Sequence, residues 1–137
     1  MNLALMLAKR STCLRAHVGA VIVSEDNQRV LSIGYNGNYR GGPNCCDTSE
    51  PGLCGCLHSE DNACVKLNYN DPAGRKLYTT TSCCLACAKR IINAGIKEVI
   101  YLNEYRKTEG LEILKQAGII VRRLSPGEIQ IDEDKAD

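Results

Sequence analysis

The fold of this chain is decided by residues 76–124, which read KLYTTTSCCLACAKRIINAGIKEVIYLNEYRKTEGLEILKQAGIIVRRL. Short β-branched runs alternate there with longer amphipathic runs, and an Ala-Gly-Ile triplet follows each amphipathic run, at 94–96 and 117–119. A glycine behind the last helical turn, with a β-branched residue after it, is typical of a helix that passes into a strand. The pattern predicts strands at Leu77–Thr80, Glu98–Leu102 and Ile119–Leu124, and helices at Cys84–Ala94 and Glu109–Ala117.

The preceding part of the chain predicts a hairpin. Val18–Val23 and Val30–Tyr35 are apolar runs separated by the polar segment 24–28, and Leu3–Ala8 before them predicts a short helix. Hairpin strands are antiparallel, whereas strands joined through a helix are parallel with right-handed crossovers. The sequence therefore predicts one α/β sheet of about five strands, antiparallel at its start and parallel at its end, with helices on both faces.

Composition excludes several classes of protein. The 137 residues fit one domain, 1–137, whose acidic tail from about residue 126 is expected to fray. Lys and Arg exceed Asp and Glu by one, so no nucleic-acid partner is expected. No run approaches the roughly 20 apolar residues of a membrane span, and no basic residue precedes Leu3–Ala8 as in an export signal. We therefore expect a cytoplasmic protein without a membrane partner.

The nine cysteines are the unusual feature of the composition. Their odd number and the absence of an export signal argue against a disulfide framework, and clustered cysteines in a reducing compartment more often hold metal. Residues 34–57, rich in Gly, Pro, Asn and Cys, lack any apolar period. A structureless stretch of this length is usually functional or tethered.

His58, Glu60 and the Cys84-x-x-Cys87 pair form the set that carries chemistry. Residues three apart at a helix start share a face, and the helix dipole there favours the thiolate that zinc needs. One His and two Cys leave the fourth position of a tetrahedral zinc open for water, as in hydrolytic sites. Residues two apart diverge by about 200° on a helix. His58 and Glu60 can therefore converge only if His58 lies in the first turn.

These motifs match the zinc-dependent nucleobase deaminase pattern H-x-E followed by P-C-x-x-C, in which Glu is the acid–base and not a ligand. Cys83 stands where the pattern has proline, which removes a fixed φ and places a competing thiol beside Cys84. More widely, the chain resembles the deoxycytidylate (dCMP) deaminase family of phage and bacterial type, within the zinc-dependent cytidine deaminase superfamily. The resemblance covers nearly the whole chain. The zinc motif alone identifies only the broad superfamily, whereas segments 34–37 and 44–47 and the region of Tyr105 narrow it to the nucleotide branch.

The resemblance implies a cytidine-deaminase-like three-layer α/β/α sandwich and a homo-hexamer. It implies zinc-dependent hydrolytic deamination of dCMP to dUMP and ammonia, which supplies dUMP for dTMP synthesis. We expect Glu60 to take the proton of a zinc-activated water, pass it to cytosine N3 and then protonate the leaving amine. Family members are often regulated by dCTP and dTTP, and Mg²⁺ would accompany such a triphosphate. A phage-encoded member would work in the host cytoplasm.

Substrate contacts are predicted partly from the resemblance and partly from chemistry. By resemblance, Asn36 contacts the sugar and the Ser59 backbone reads the base. Arg15 and Tyr105 are our candidates for the 5′-phosphate, since the Arg fork donates two hydrogen bonds to such a dianion. For a triphosphate effector the candidates are Asn36 again, with Gly37 and Gly42.

The remaining loop cysteines predict a second, structural zinc. Its ligands would be Cys13, Cys45 or Cys46, Cys54 and Cys56, and four thiolates would close the tetrahedron and tie the long loop to the first helix. We prefer Cys45 because the resemblance places a ligand there. Cys64 and Cys83 are interpreted as buried structural thiols.

Rival functions remain open from the residues alone. Another cytidine or cytosine deaminase would share the zinc motif, and a tRNA adenosine deaminase would too, although the near-neutral charge disfavours RNA. A non-enzyme alternative is a zinc-binding interaction module whose metals serve only folding. Whether dCTP is itself a substrate is also open.

Overall fold

The computed structural model describes residues 1–50 and 52–129. Within them the elements in chain order are α1 Asn2–Ala8, β1 Gly19–Ser24, β2 Val30–Tyr35, α2 Ser59–Cys64, β3 Arg75–Thr81, α3 Leu85–Asn93, β4 Ile96–Asn103, α4 Glu109–Gln116 and β5 Ile120–Arg123. Each agrees in type and approximate position with the sequence prediction where one was made. A short 3-10 helix, Pro126–Glu128, follows, while residues 130–137 of the acidic tail lie outside the described part.

The five strands form one sheet in the order β2-β1-β3-β4-β5. β1 is antiparallel to both of its neighbours, β2 and β3. β4 lies between β3 and β5 and is parallel to both. The hairpin between β1 and β2 closes at Asn27, whose φ of 58° is tolerated by Asn, and the Asp26 carboxylate accepts from the Gln28 backbone. The predicted five-stranded sheet, antiparallel at its start and parallel at its end, is confirmed.

Helices cover both faces of the sheet, because side chains along a strand alternate between its faces. Val21 and Val23 of β1 pack with Ala4 of α1 on one face. Ala20 and Ile22 of the same strand point to the other face, into the main core built with α2, α3 and α4. The result is the predicted three-layer α/β/α arrangement, in which α1 is the one α-helix on its side of the sheet among residues 1–50 and 52–129.

Glycine allows α2 to lie directly on β2. A methyl group at Gly34 would overlap the backbone of Ser59 and would lie 2.7 Å from the Ala63 nitrogen. The Ser32 hydroxyl, two residues back on the same strand, donates to the Ala63 carbonyl at 2.6 Å. This close approach fixes the start of α2, where the H-x-E motif lies, against the sheet.

The two helices of the parallel half end at glycines, as predicted. Gly95 after α3 and Gly118 after α4 have φ of 72° and 79°, a left-handed conformation that glycine adopts without strain. α3 begins at Leu85 and not at Cys84, because Cys84 is the N-cap residue. None of the helices in the described residues has the length and apolar character required to cross a membrane.

Candidate metal centre and active site

The His58, Cys84 and Cys87 side chains converge at the facing N-termini of α2 and α3. His58 is the N-cap of α2, with an extended φ of −76° and ψ of 154°, so its ring does not follow the helical direction of Glu60. Its Nδ1 lies 3.5 Å from Cys84 Sγ and 3.3 Å from Cys87 Sγ. The helix therefore starts where the sequence required it to start for His58 and Glu60 to converge.

The donor set fits a zinc ion. The three ligand atoms lie within 4.8 Å of one another, and one imidazole nitrogen with two sulfurs is a three-ligand tetrahedral set with one open position. Hydrogen bonds from Cys87 and His58 lower the pKa of Cys84 to about 3, and the Cys84 contact raises that of His58 to about 9. The hydrogen bond between Cys84 and Cys87, together with burial, raises the pKa of Cys87. Near neutral pH the cluster therefore pairs a Cys84 thiolate with a protonated His58, and binding of a divalent cation would release the protons of His58 and Cys87.

Glu60 lies buried one residue inside α2, only 4% exposed. Burial raises the pKa of its carboxyl group, against the opposing effect of hydrogen bonds and of His58. The Ser59 hydroxyl donates to Glu60 Oε2 at 2.9 Å, and Ser59 is itself fully buried. A carboxyl group with a raised pKa beside a metal centre is suited to accept and return a proton near neutrality.

Asn36 is buried and its side chain already binds backbone. Its Oδ1 accepts from the Val18 N–H at 2.8 Å and its Nδ2 donates to the Ala16 carbonyl at 2.7 Å. An amide has a second N–H and a second lone pair, so one donor and one acceptor remain for a ligand. Asn36 also holds the segment that carries Arg15 against the end of β2.

Arg15 and Tyr105, the candidates for phosphate contact, lie on different loops. Arg15 is exposed in the connection between α1 and β1. Tyr105 follows β4 and is half-buried. Its N–H donates at 2.7 Å to the hydroxyl of Ser82, the residue directly before Cys83 and Cys84. No hydrogen bond joins Arg15 to Tyr105 within the described residues.

Gly37 and Gly42, the effector candidates, lie in the long loop after β2. Gly37 exchanges two backbone hydrogen bonds with Leu57, at 3.1 and 2.8 Å, which ties the loop to the residue before His58. The Gly42 N–H donates to the Tyr39 carbonyl at 3.0 Å and closes a local turn. The two glycines are therefore joined to different parts of the loop.

Four loop sulfurs form a second cluster, made by Cys13, Cys46, Cys54 and Cys56, with all four atoms within 4.8 Å of one another. Cys46 Sγ lies 3.7 Å from both Cys13 Sγ and Cys56 Sγ. Burial opposes ionisation of Cys13, but hydrogen bonds from Ala16, Arg15 and the neighbouring thiols lower its pKa to about 7, and burial raises that of Cys56. Four cysteines at this spacing fit a closed tetrahedral zinc site.

The preference for Cys45 is corrected by this geometry. Cys46 is the member of the cluster, and its sulfur also accepts from the Leu14 N–H at 3.4 Å. Cys45 is exposed and contributes its carbonyl to Asn38 instead. Of these two neighbours, only Cys46 brings its sulfur close to that of Cys13.

Two residues that the sequence reasoning missed, Asp61 and Arg90, lie beside Cys87. Asp61 Oδ1 is 3.6 Å from Cys87 Sγ, and the Arg90 guanidinium donates to both Asp61 oxygens at 3.0 and 3.1 Å. The signal was available in the spacing, since Asp61 follows Glu60 and Arg90 lies three residues after Cys87. Cys83, by contrast, is fully buried outside the metal cluster, and burial raises its pKa to about 12.

The chain is similar to known proteins. The family model described as the cytidine and deoxycytidylate deaminase zinc-binding region matches residues 1–103. The deoxycytidylate deaminase of Saccharomyces cerevisiae is 41% identical over 138 residues, which cover 91% of this chain and 43% of that protein. The human deoxycytidylate deaminase is 34% identical over 152 residues, with 98% of this chain and 83% of that protein covered. The chain thus spans less than half the length of its S. cerevisiae relative.

A solved structure extends the likeness to three dimensions. The dCMP deaminase of the cyanophage S-TIM5, crystallised in complex with dCMP and dUMP, superposes with a TM-score of 0.80 at 37% identity. The match covers 90% of this chain and 92% of that chain.

Proposed function

This chain belongs to the cytidine and deoxycytidylate deaminase family, and on that premise we propose that it converts dCMP and water to dUMP and ammonia. The observation that carries the proposal is the buried Glu60, whose carboxyl group interacts electrostatically with His58 and Cys84 of the donor set. The similar cyanophage enzyme, crystallised with dCMP and dUMP, supports this choice of substrate and product. The dUMP formed would supply dTMP synthesis.

The residues of the chain divide the reaction between them. His58, Cys84 and Cys87 would hold Zn²⁺, which would supply the Lewis acidity that lowers the pKa of the attacking water towards neutrality. Glu60 accepts a proton from the attacking water and delivers it to cytosine N3 as a C–O bond forms at C4. Glu60 then takes the second proton from the new C4 hydroxyl and delivers it to the amino group, so that the C–N bond breaks, ammonia leaves and the C4 carbonyl of dUMP remains. Burial raises the pKa of Glu60, which favours its role in accepting and returning a proton.

We assign the binding of dCMP to four residues. The remaining amide donor and acceptor of Asn36 serve the sugar, and the Ser59 backbone reads the base. Arg15 and Tyr105 hold the 5′-phosphate, Arg15 through paired charge-assisted hydrogen bonds. The hydrogen bond from Asn36 to Ala16 supports this assignment, because it anchors the Arg15 segment beside the sugar contact.

The assay that tests this function compares substrates. The purified chain is given dCMP, deoxycytidine, cytidine, cytosine and dCTP, with an adenosine-containing tRNA hairpin as a sixth substrate, and released ammonia is measured. We expect dCMP to have the highest kcat/KM. A preference for the nucleoside, the free base or the RNA would contradict the proposal, as would the absence of turnover on every substrate.

The second sulfur cluster would hold a structural zinc. The cluster connects the segment after α1, which carries Cys13, with the loop before His58, which carries Cys46, Cys54 and Cys56. Four thiolates complete the coordination shell of zinc, so this ion would stabilise the fold and leave no position for water.

Regulation and assembly complete the proposal. A dCTP or dTTP effector with Mg²⁺ would bind near Asn36, Gly37 and Gly42, and the Gly37–Leu57 bridge would connect it to His58. The active form would be a homo-hexamer in the cytoplasm, or in the host cytoplasm for a phage protein. Rates measured with and without each triphosphate and Mg²⁺ test the effector, and analytical ultracentrifugation tests the hexamer. Rates unaffected by either triphosphate, or a sedimenting monomer, would contradict these assignments.

A further inference from the structure

An ion pair joins α2 to α3 beside a metal-ligand sulfur. Arg90 of α3 donates through one nitrogen, Nη1, to both carboxylate oxygens of Asp61 on α2, at 3.0 and 3.1 Å. One of those oxygens, Oδ1, is 3.6 Å from Cys87 Sγ. The pair therefore contacts a side chain that the proposed function assigns to zinc.

Both members of the ion pair lie close in sequence to residues of the proposed catalytic site. Asp61 directly follows Glu60 in the first turn of α2, and Arg90 lies one turn beyond Cys87 on α3. His58 and Glu60 therefore belong to one partner helix, and both cysteine ligands to the other. A shift of α2 against α3 would move the His58 nitrogen away from the two sulfurs.

The charges around Cys87 require a cation. A zinc ligand sulfur is a thiolate, and a thiolate repels a carboxylate held at contact distance. Arg90 neutralises Asp61 at this point, so the carboxylate can remain beside the sulfur. Without Arg90, an unpaired carboxylate would disfavour the thiolate form of Cys87, and changes to the groups around metal ligands typically weaken metal binding or activity about 10- to 100-fold.

We propose that Asp61 and Arg90 are a positioning pair that holds Cys87 in its ligand geometry and so sets how long the catalytic site retains zinc. The inference rests on the proposed function of His58, Cys84 and Cys87. A purely structural role is the rival explanation. A purely structural role predicts that replacing Arg90 or Asp61 has little effect on zinc release or on stability. The reason is that the Arg90 side chain is 58% exposed and exposed ion pairs contribute little to stability.

The chain contains a matched control. Arg29 and Asp71 form another ion pair, at 3.2 Å, with side-chain exposures of 57% and 22% against 58% and 22% for Arg90 and Asp61. Neither Arg29 nor Asp71 belongs to either group of metal-binding side chains found in the described residues. Replacing Arg29 therefore removes an equally exposed ion pair without touching a proposed ligand.

The test is the rate of zinc transfer from the zinc-loaded protein to an excess of a chromogenic chelator. Cys84→Ser identifies the phase that belongs to the catalytic site, and any phase from the loop cluster is an internal reference. We expect Arg90→Ala to accelerate the catalytic-site phase about tenfold or more. Arg29→Ala is expected to release zinc at the wild-type rate. Arg90→Lys should release zinc more slowly than Arg90→Ala, because a single charged nitrogen of Arg90 makes both contacts with Asp61.

Asp61→Asn gives a second route to the same conclusion. It weakens the link between α2 and α3 but also removes the carboxylate that repels the thiolate, so it should accelerate zinc release less than Arg90→Ala does. The double variant should release zinc no faster than Arg90→Ala, because its Cys87 no longer faces an unpaired carboxylate. In the cobalt-substituted protein, the sulfur-to-metal absorption bands should shift in Arg90→Ala and not in Arg29→Ala. This spectrum reports the ligand geometry directly and would not respond to a general loss of stability.

The outcomes separate the inference from the function on which it rests. Wild-type release rates and an unchanged cobalt spectrum in both Arg90→Ala and Asp61→Asn would overturn the positioning pair alone. A Cys84→Ser variant with the zinc content and the zinc release rates of the wild-type protein would overturn the proposed catalytic site itself.

Discussion

At the scale of single residues, the environment of each cysteine determines its chemistry. Cys84 has a pKa lowered to about 3 by hydrogen bonds from Cys87 and His58, whereas burial raises the pKa of Cys64 to about 11 and that of Cys83 to about 12. The sequence predicted the roles of these three, because motif spacing distinguishes ligands from buried thiols. Spacing could not choose between Cys45 and Cys46, since that choice depends on the direction of two neighbouring side chains in a loop without periodicity.

Native alkylation tests this division. At pH 8 we expect iodoacetamide to modify the exposed Cys45 quickly and to leave Cys64 and Cys83 unmodified, because both are buried and protonated. Their folded pKa values lie above the ordinary value of 9.0, so their contribution to stability is complete below pH 9 and is lost as the pH rises towards 11 to 12. Peptide mass spectrometry gives the order of modification. Reaction of Cys83 as fast as Cys45 would contradict the assigned burial.

Arg15 allows a second test at this scale. Arg15→Ala should lower kcat/KM for dCMP about 10- to 100-fold, which is the loss of a charge-assisted hydrogen bond, while kcat/KM for deoxycytidine should stay near wild type. Lys9→Ala is the control, because Lys9 is an exposed cation nearby in the chain. Equal losses on both substrates would show that Arg15 does not bind the phosphate.

At the scale of elements, α2 is positioned by its contact with β2. Gly34 allows the helix backbone to lie on the strand, and Ser32 binds the helix end. The sequence predicted both strands of the hairpin and the need for His58 at the helix start. It could not predict the close approach at Gly34, because a glycine inside a strand pattern equally indicates a bulge.

Gly34→Ala tests this contact. The added methyl group has no space, so we expect the free energy of unfolding to fall by about 1–3 kcal/mol and zinc binding to weaken as α2 moves. Gly127→Ala is the matched control, since a methyl group there meets no atom within 4 Å. Chemical denaturation and zinc titration provide the measurements. A Gly34→Ala protein as stable as Gly127→Ala would contradict the close packing of α2 on β2.

At the scale of the whole molecule, the sheet brings together segments that are distant in sequence. The parallel half was predictable because its helices end at glycines and its strands are β-branched. The course of residues 36–50 and 52–57 was not predictable, because one sulfur cluster and scattered hydrogen bonds hold this loop and leave no periodic pattern. Its cysteines alone indicated a metal that orders the loop, and the cluster of Cys13, Cys46, Cys54 and Cys56 agrees with that hypothesis.

Cys54→Ser tests the loop metal as a property of the whole fold. The variant should lose one zinc equivalent and unfold at a lower temperature, because a closed structural site contributes its binding energy to folding. Cys45→Ser, whose side chain lies outside the cluster, should keep both its zinc and its unfolding temperature. Elemental analysis and calorimetry supply the two readouts. The opposite pattern, with zinc lost in Cys45→Ser and kept in Cys54→Ser, would restore the sequence-based preference for Cys45.

The central claim is that Glu60 moves protons beside a zinc held by His58, Cys84 and Cys87. Ammonia release from dCMP by Glu60→Gln, measured with the zinc content of the same sample, tests it most directly. We predict that the rate falls at least about 10²-fold, as expected for the loss of a general acid–base, while zinc stays at its wild-type level. A zinc-loaded Glu60→Gln protein that deaminates dCMP at the wild-type rate would contradict the claim.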